Sequence, residues 1–355
     1  MARLDPVWMR RGIALTIGIA AGFGMTRIWH HRPPAPGGPP SAVTTGGKGT
    51  GSSVDLPAPM QEQADPEAGD GTAAQKAAYD AYLERHHYSR EALVAIALLS
   101  DDPGYLAEAA ERYPDDPGVQ LLVIGAAQFH GDKAEWYRRF RESQPDNLLA
   151  PLLLASHLFE SGHAPQALEA LRDGAGLNTY RDFSSQNSLA VESALIELGH
   201  SQLEAKLKSS ELSPLNLTVQ VQAAIGSLDR LADSDSDSGD VERRELIMLG
   251  AAIGNQLSQG AANGSNINRL FGLGMERNFL RKLDPGLEAD SLSATPAEAL
   301  AEIGEEWDQI GSDTKFQIDH FEQLNEAQKL HFLDRKRTLG EADAVRWMRS
   351  QFPSE

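Results

Sequence analysis

The chain contains no cysteine. That excludes disulfides, a thiol nucleophile, iron–sulfur clusters and cysteine zinc sites, and it is compatible with an oxidising compartment. Aromatic residues make up only 6% of the 355 positions, and alternating runs of Val, Ile and Thr are nearly absent, so no sheet is expected. Positive charge is in deficit: 32 Lys and Arg stand against 51 Asp and Glu, a net charge of −19. A phosphate-backbone partner wants a basic face, so this balance argues against nucleic acid. P-loop, Gly-x-Ser-x-Gly and His-Glu-x-x-His motifs are all missing. Gly272-Leu273-Gly274 lacks the third glycine of a dinucleotide loop and follows a helical stretch rather than a strand.

The remaining candidates for chemistry are weak. Asp233, Asp235 and Asp237 hold the first three ligand positions of an EF-hand-like loop. The sixth position, which needs Gly, is Ser238, and the twelfth, which needs Glu, is Arg244, so the segment reads as a solvated acidic loop. His86 and His87 are adjacent and would point about 100° apart on a helix. His157 and His163 lack a carboxylate at ligand spacing. Glu305, Glu306 and Asp308 read as the wet face of a helix. No catalytic residue, metal or cofactor is assigned, and the chain is not read as an enzyme.

What is present is a helical repeat. Pro114-Asp115 and Pro145-Asp146 lie 31 residues apart, and Gly131 and Gly162 keep the same offset. In that register Val123-Ile124 match Leu154-Ala155 and Phe140 matches Leu171. One period earlier, Ala92-Leu93 match Val123-Ile124 and Ala109 matches Phe140. Apolar residues three and four apart put one stripe on each helix, and a lone hairpin cannot bury it without stacking on neighbours. Gly131 and Gly162 end the first helix of a pair with a left-handed residue, and Pro114 and Pro145 stop the second. This pattern over about 90–181 resembles the tetratricopeptide repeat, best over 148–181 in Leu154-Ala155, Leu158, Gly162, Ala167 and Leu171. The earlier repeats are about three residues short in the inner turn, and Gly174 stands where the family usually has Ala. The resemblance implies an all-α body, an α-solenoid of hairpins whose concave groove binds a protein segment. In such a groove the inner helix of each pair would present Gln128, Ser156 and Phe159.

The amino-terminal stretch suggests where that body sits. Arg3, Arg10 and Arg11 precede an uncharged run of 15 residues, 12–26, followed by Arg27 and Trp29. The run is short for a bilayer that wants about 20 apolar residues, but Arg27 can snorkel and Trp29 can sit at the interface. Residues 1–31 therefore read as a signal-anchor, with a cleaved signal peptide as the alternative. Residues 32–72 are a Pro- and Gly-rich linker, expected to be disordered, with an end-to-end distance on the order of 35 Å. The expected layout continues with repeats over 73–181, further solenoid helices over 182–291 and a helical cap over 292–355. Within it, 188–208 reads as one helix with a stripe of Leu189, Ile196, Leu203 and Leu207. Leu246, Leu249, Ile253 and Leu257 form a stripe on 241–259, Thr295-Pro296-Ala297-Glu298 is a capping box, and Gly311 and Gly340 separate the last three helices.

The expected function is a membrane-tethered scaffold that binds another protein in a bacterial cell envelope, with the body in the periplasm at the inner membrane. A self-assembling structural component is the first alternative. An enzyme with a carboxylate site within 181–355 is the second.

Overall fold

The computed structural model describes residues 68–126, 132–211, 215–233, 240–260, 266–287 and 294–353. The anchor, most of the linker, Gln128, Gly131 and most of the acidic loop 233–240 lie outside the described residues. The described chain is all-α, with no strand and a single isolated bridge between Asn147 and Thr179. The helices are α1 (Ala68–Arg85), α2 (Arg90–Leu99), α3 (Pro103–Arg112), α4 (Pro117–Gly125), α5 (Lys133–Ser143), α6 (Leu149–Glu160) and α7 (Ala164–Gly174). They continue with α8 (Ser184–Glu197), α9 (Gln202–Glu211), α10 (Leu215–Asp233), α11 (Asp240–Gly260), α12 (Asn266–Leu280), α13 (Pro296–His320), α14 (Glu326–Leu339) and α15 (Glu341–Ser350). No helix among the described residues is long and apolar enough to cross a membrane.

The 31-residue register holds in the packing. Leu93, Ile124 and Ala155 are each fully buried, as are Ala109, Phe140 and Leu171. Local chemistry places the turns between these helices. Ser89 accepts from the Ala92 backbone at 3.3 Å, and Asp102, Asp116 and Asp132 cap α3, α4 and α5 the same way. Gly162 closes α6 at φ +77, with the His163 N–H donating to the Leu158 carbonyl. Thr295 and Glu298 complete the capping box that opens α13.

Beyond α7 three expectations are corrected. Residues 188–208 form two helices, because Gly199 at φ +97 ends α8 in a conformation that continues no helix. The buried face of α8 is Ala190, Val191, Ala194 and Leu195, whereas Leu189 and Ile196 are exposed. That face is the one that packs on α2, so Leu189 and Ile196 are turned outward. Gly311 breaks nothing: α13 runs 25 residues through it, anchored by buried Ile303 and Ile310, and a mid-helix glycine costs only about 1 kcal/mol. Gly340, at φ +88, does divide α14 from α15.

Among the described residues the core is three clusters. One joins α1 to α4 with α8 and α9 through Leu93, Ile96, Val123, Val191 and Leu195. A second and larger one joins α4 to α7 with α10 to α13. The third gathers Phe321, Phe332, Val345 and Met348 at the carboxyl end. Glu341, at the start of α15, ties that end back. Its carboxylate accepts from the Asn266 N–H (3.0 Å), an unpaired first-turn donor of α12, and from Lys336 (2.7 Å). Burial opposes its ionisation, but Lys336 and the Asn266 N–H outweigh it and hold the carboxyl below its ordinary value. The contribution to stability is therefore present at neutral pH and lost as pH falls through that lowered value.

Candidate functional site

Two surfaces formed by the described residues bear on ligand binding, and the first is occupied by the chain itself. The first helices of the three pairs, which the repeat resemblance would place on the inner side, are α2, α4 and α6. Helix α8 packs on α2, and α10 packs on both α4 and α6. Val221, Ala224, Ile225 and Leu228 of α10 share one buried cluster with Leu149, Leu152 and Leu153 of α6. Gln220 adds polar closure: its amide donates to the Ile124 carbonyl at the end of α4 (3.0 Å) and its oxygen accepts from the Tyr137 hydroxyl (3.2 Å). Burial, aided by the Glu160 carboxylate, pushes the Tyr137 phenol up to about 12.

The expected groove residues follow from that packing. Ser156 is 1% exposed, so it faces helix packing rather than a partner, and its hydroxyl has no hydrogen-bond partner. Phe159 is half-buried against the large core cluster. The family resemblance put these residues on inner helices, but it carried no sign that a helix some 60 residues later would pack on α6. Residues 179–181 also lie across the start of α6: Asn147 accepts from the Arg181 N–H and donates to its carbonyl, and the Leu148 N–H donates to the Thr179 carbonyl.

The second surface is a cavity of about 630 Å³ between the end of α7 and helices α11, α12 and α13. Its volume lies in the range of small-ligand and side-chain pockets. Met248, Leu249, Leu273 and Ile303 supply apolar wall. The back wall is rigid because α11 and α12 touch backbone to backbone: a Cβ on Gly254 would strike the Glu276 backbone nitrogen, and one on Gly272 the Ser258 backbone nitrogen. That contact fixes Glu276, whose side chain is 8% exposed and lines the cavity.

The polar groups of the cavity are unevenly satisfied. Glu276 accepts one hydrogen bond, from Asn255 (3.0 Å), while Asn255 itself accepts from Gln259 (2.7 Å). Gln256 donates to the Ala175 carbonyl, and its own buried oxygen has no partner. Glu245 pairs with Arg172 (3.1 Å), and Glu306 pairs with Arg269. Glu306 is thus half-buried in the cavity rather than on a wet helix face. Burial raises the Glu276 carboxyl above its ordinary value; Glu306 and Glu302 push the same way and Asn255 opposes them. A readable signal existed. Glu276 sits on the same helical stripe as Gly272, Leu273, Phe279 and Leu280, where a lone carboxylate breaks an otherwise apolar face.

No family model, characterised protein or solved structure matches this chain. The functional argument therefore rests on the chain's own geometry. Among the described residues no group of three His, Cys, Asp or Glu could hold a metal ion. His86 instead bonds Glu197 (2.9 Å), and His157 stacks on Tyr137 with ring centres 4.9 Å apart.

The raised carboxyl of Glu276 gives a signed prediction. The folded state holds this proton more tightly than the unfolded one, so between the ordinary and the raised value stability falls as pH increases. Glu276→Gln removes the penalty and keeps the Asn255 contact. The melting temperature should rise at pH 7 and match the parent at pH 4. A fall at pH 7 in thermal melts would show that Glu276 is favourably ionised.

Proposed function

We propose that the protein is a membrane-tethered, tetratricopeptide-like scaffold that binds another protein in a bacterial cell envelope, with its helical body in the periplasm. The observation that carries the reading is the repeated burial of Leu93, Ile124 and Ala155, and of Ala109, Phe140 and Leu171, at 31-residue spacing. Stacked hairpins of this kind serve as binding frames. Because α8 and α10 cover the inner helices, the partner is assigned to the cavity between α7 and α11 to α13. The linker 32–72 would let the body reach a client away from the bilayer.

The test is cross-linked capture from solubilised membranes, full chain beside a form lacking residues 1–31, read by mass spectrometry. A recurrent envelope protein recovered far better with residues 1–31 present supports the tethered scaffold. Equal recovery of the protein alone from both forms overturns it and favours self-assembly, which sedimentation at increasing concentration would register.

One observation favours a second reading, an enzyme built on carboxylates. Glu276 is a buried carboxyl of raised affinity for protons in a cavity of substrate size. Undiminished client capture by Glu276→Gln would leave that residue free for such a role.

A further inference from the structure

Among the described residues the cavity is lined by four carboxylates, Glu245, Glu276, Glu302 and Glu306, against one cation, Arg172, and that imbalance specifies its occupant. Its donors are committed to the protein: Asn255 to Glu276, Gln256 to Ala175, Gln259 to Asn255, Arg172 to Glu245. Three of its acceptors are left short of donors. Gln256 has a buried oxygen with no partner, although buried polar atoms are almost always satisfied. Glu276 is more than nine-tenths buried, faces no cation and has one neutral donor. Glu302, on the exposed rim, pairs with no described residue.

Building on the scaffold reading, we propose that this cavity docks a basic side chain of the partner protein, with its guanidinium or ammonium on Glu276, Glu302 and the Gln256 oxygen and its methylenes against Met248, Leu273 and Ile303. A cation with several N–H donors satisfies three acceptors at once, and charge-assisted bonds of this kind are the strong ones. The apolar wall suits the alkyl stem that Arg and Lys carry below the charge. About 630 Å³ leaves room for the side chain and the residue beside it. A chain of net charge −19 would also speed the approach of a basic segment. Ionisation of Glu276 accompanies docking. The groups that act on it are Asn255 on α11 and Glu302 and Glu306 on α13; Arg172 on α7, which also lines the cavity, is held by Glu245 on α11.

The experiment titrates the full chain with N-butylguanidinium and with its neutral isostere N-butylurea, following the methyl resonances of Met248 and Ile303. N-butylguanidinium should shift both saturably, N-butylurea should not, and the affinity should rise with pH. Glu276→Gln and Glu302→Lys should each weaken binding about ten-fold or more, the loss of a charge-assisted contact. Glu302 is exposed, so its substitution tests the site without threatening the fold. Equal shifts with N-butylurea, no shift with either probe, or stronger perturbation of the same methyls by Ca²⁺ would overturn the assignment. Client capture separates this from the scaffold reading. A client held equally by Glu302→Lys sinks the site and leaves the scaffold. A cavity that binds N-butylguanidinium in a protein that captures no client sinks the scaffold and the docking role together, leaving only a cation pocket.

Discussion

Gly272→Ala and Gly254→Ala should each destabilise the protein by about 3 kcal/mol or more, although alanine is the better helix former by about 1 kcal/mol. The reason is the contact between α11 and α12. A Cβ at Gly254 meets the backbone nitrogen and Cα of Glu276, and a Cβ at Gly272 meets the Ser258 nitrogen and the Gly254 carbonyl. These are backbone atoms, so the strain is relieved only by separating the helices. Separation opens the buried faces that hold Leu249, Ile253, Leu273 and Phe279. Gly304→Ala and Gly311→Ala on α13 supply the opposite sign. Nothing lies within 4 Å of the added methyl at either position, and each should stabilise by about 0.5–1 kcal/mol. Guanidinium unfolding of the four variants measures both effects. A Gly272→Ala protein as stable as the parent would mean that the two helices do not touch as described. The same variants bear on the cavity, since Glu276 is held by this contact, and a loosened wall should lose probe binding before secondary structure.

Lys206→Ala should cost about 3 kcal/mol, the lower end for a broken buried ion pair because one cation remains. Lys206 is 5% exposed and donates to Glu192 (2.8 Å) and to Asp334 (2.6 Å). Arg337 completes a closed set by bonding the same two carboxylates. The four residues come from α8, α9 and α14, so they join the carboxyl-terminal hairpin to α9 and to α8, which packs on α2. Removing Lys206 leaves two carboxylates sharing one guanidinium, with Glu192 only 8% exposed. Adding Glu192→Met to Lys206→Met should recover most of the loss, because the Arg337–Asp334 pair then stands alone and balanced. Hydrogen exchange should show α14 opening early in Lys206→Ala. Unchanged protection there, or a double variant worse than the single, would refute the account.

Much of the helical content was legible because it is local. Ser89, Gly162 and the Thr295–Glu298 box act within one turn, and Leu246, Leu249, Ile253 and Leu257 are buried as their spacing requires. Errors arose where a nonlocal neighbour decided the outcome. Leu189 and Ile196 make a plausible stripe, yet α8 meets α2 through alanines and Val191. Gly311 looks like a break until Ile303 and Ile310 before it and His320 after it pack the helix down. For the site, Glu276 was not among the expected residues, although its spacing from Leu273, Phe279 and Leu280 makes it an acid on an apolar stripe. That Glu302 and Glu306 stand across from it was not legible, because they lie roughly thirty residues on and on another helix.

By itself, then, the sequence determined an all-α chain, its helical hairpins with their 31-residue register, and an acidic surface without thiol chemistry. These follow from periodicity, capping and composition, which act between residues close in the chain or independently of position. Tertiary structure alone decided that α8 and α10 close over the inner helices, so that Ser156 is buried rather than presented. It alone decided, too, that glycines on α11 and α12 bring two backbones together behind a carboxylate-lined cavity. The physical reason is that a periodic stripe states that a face must be covered without naming the segment that covers it. That choice is made by shape, by which small residues permit close approach, and by which buried charges find partners.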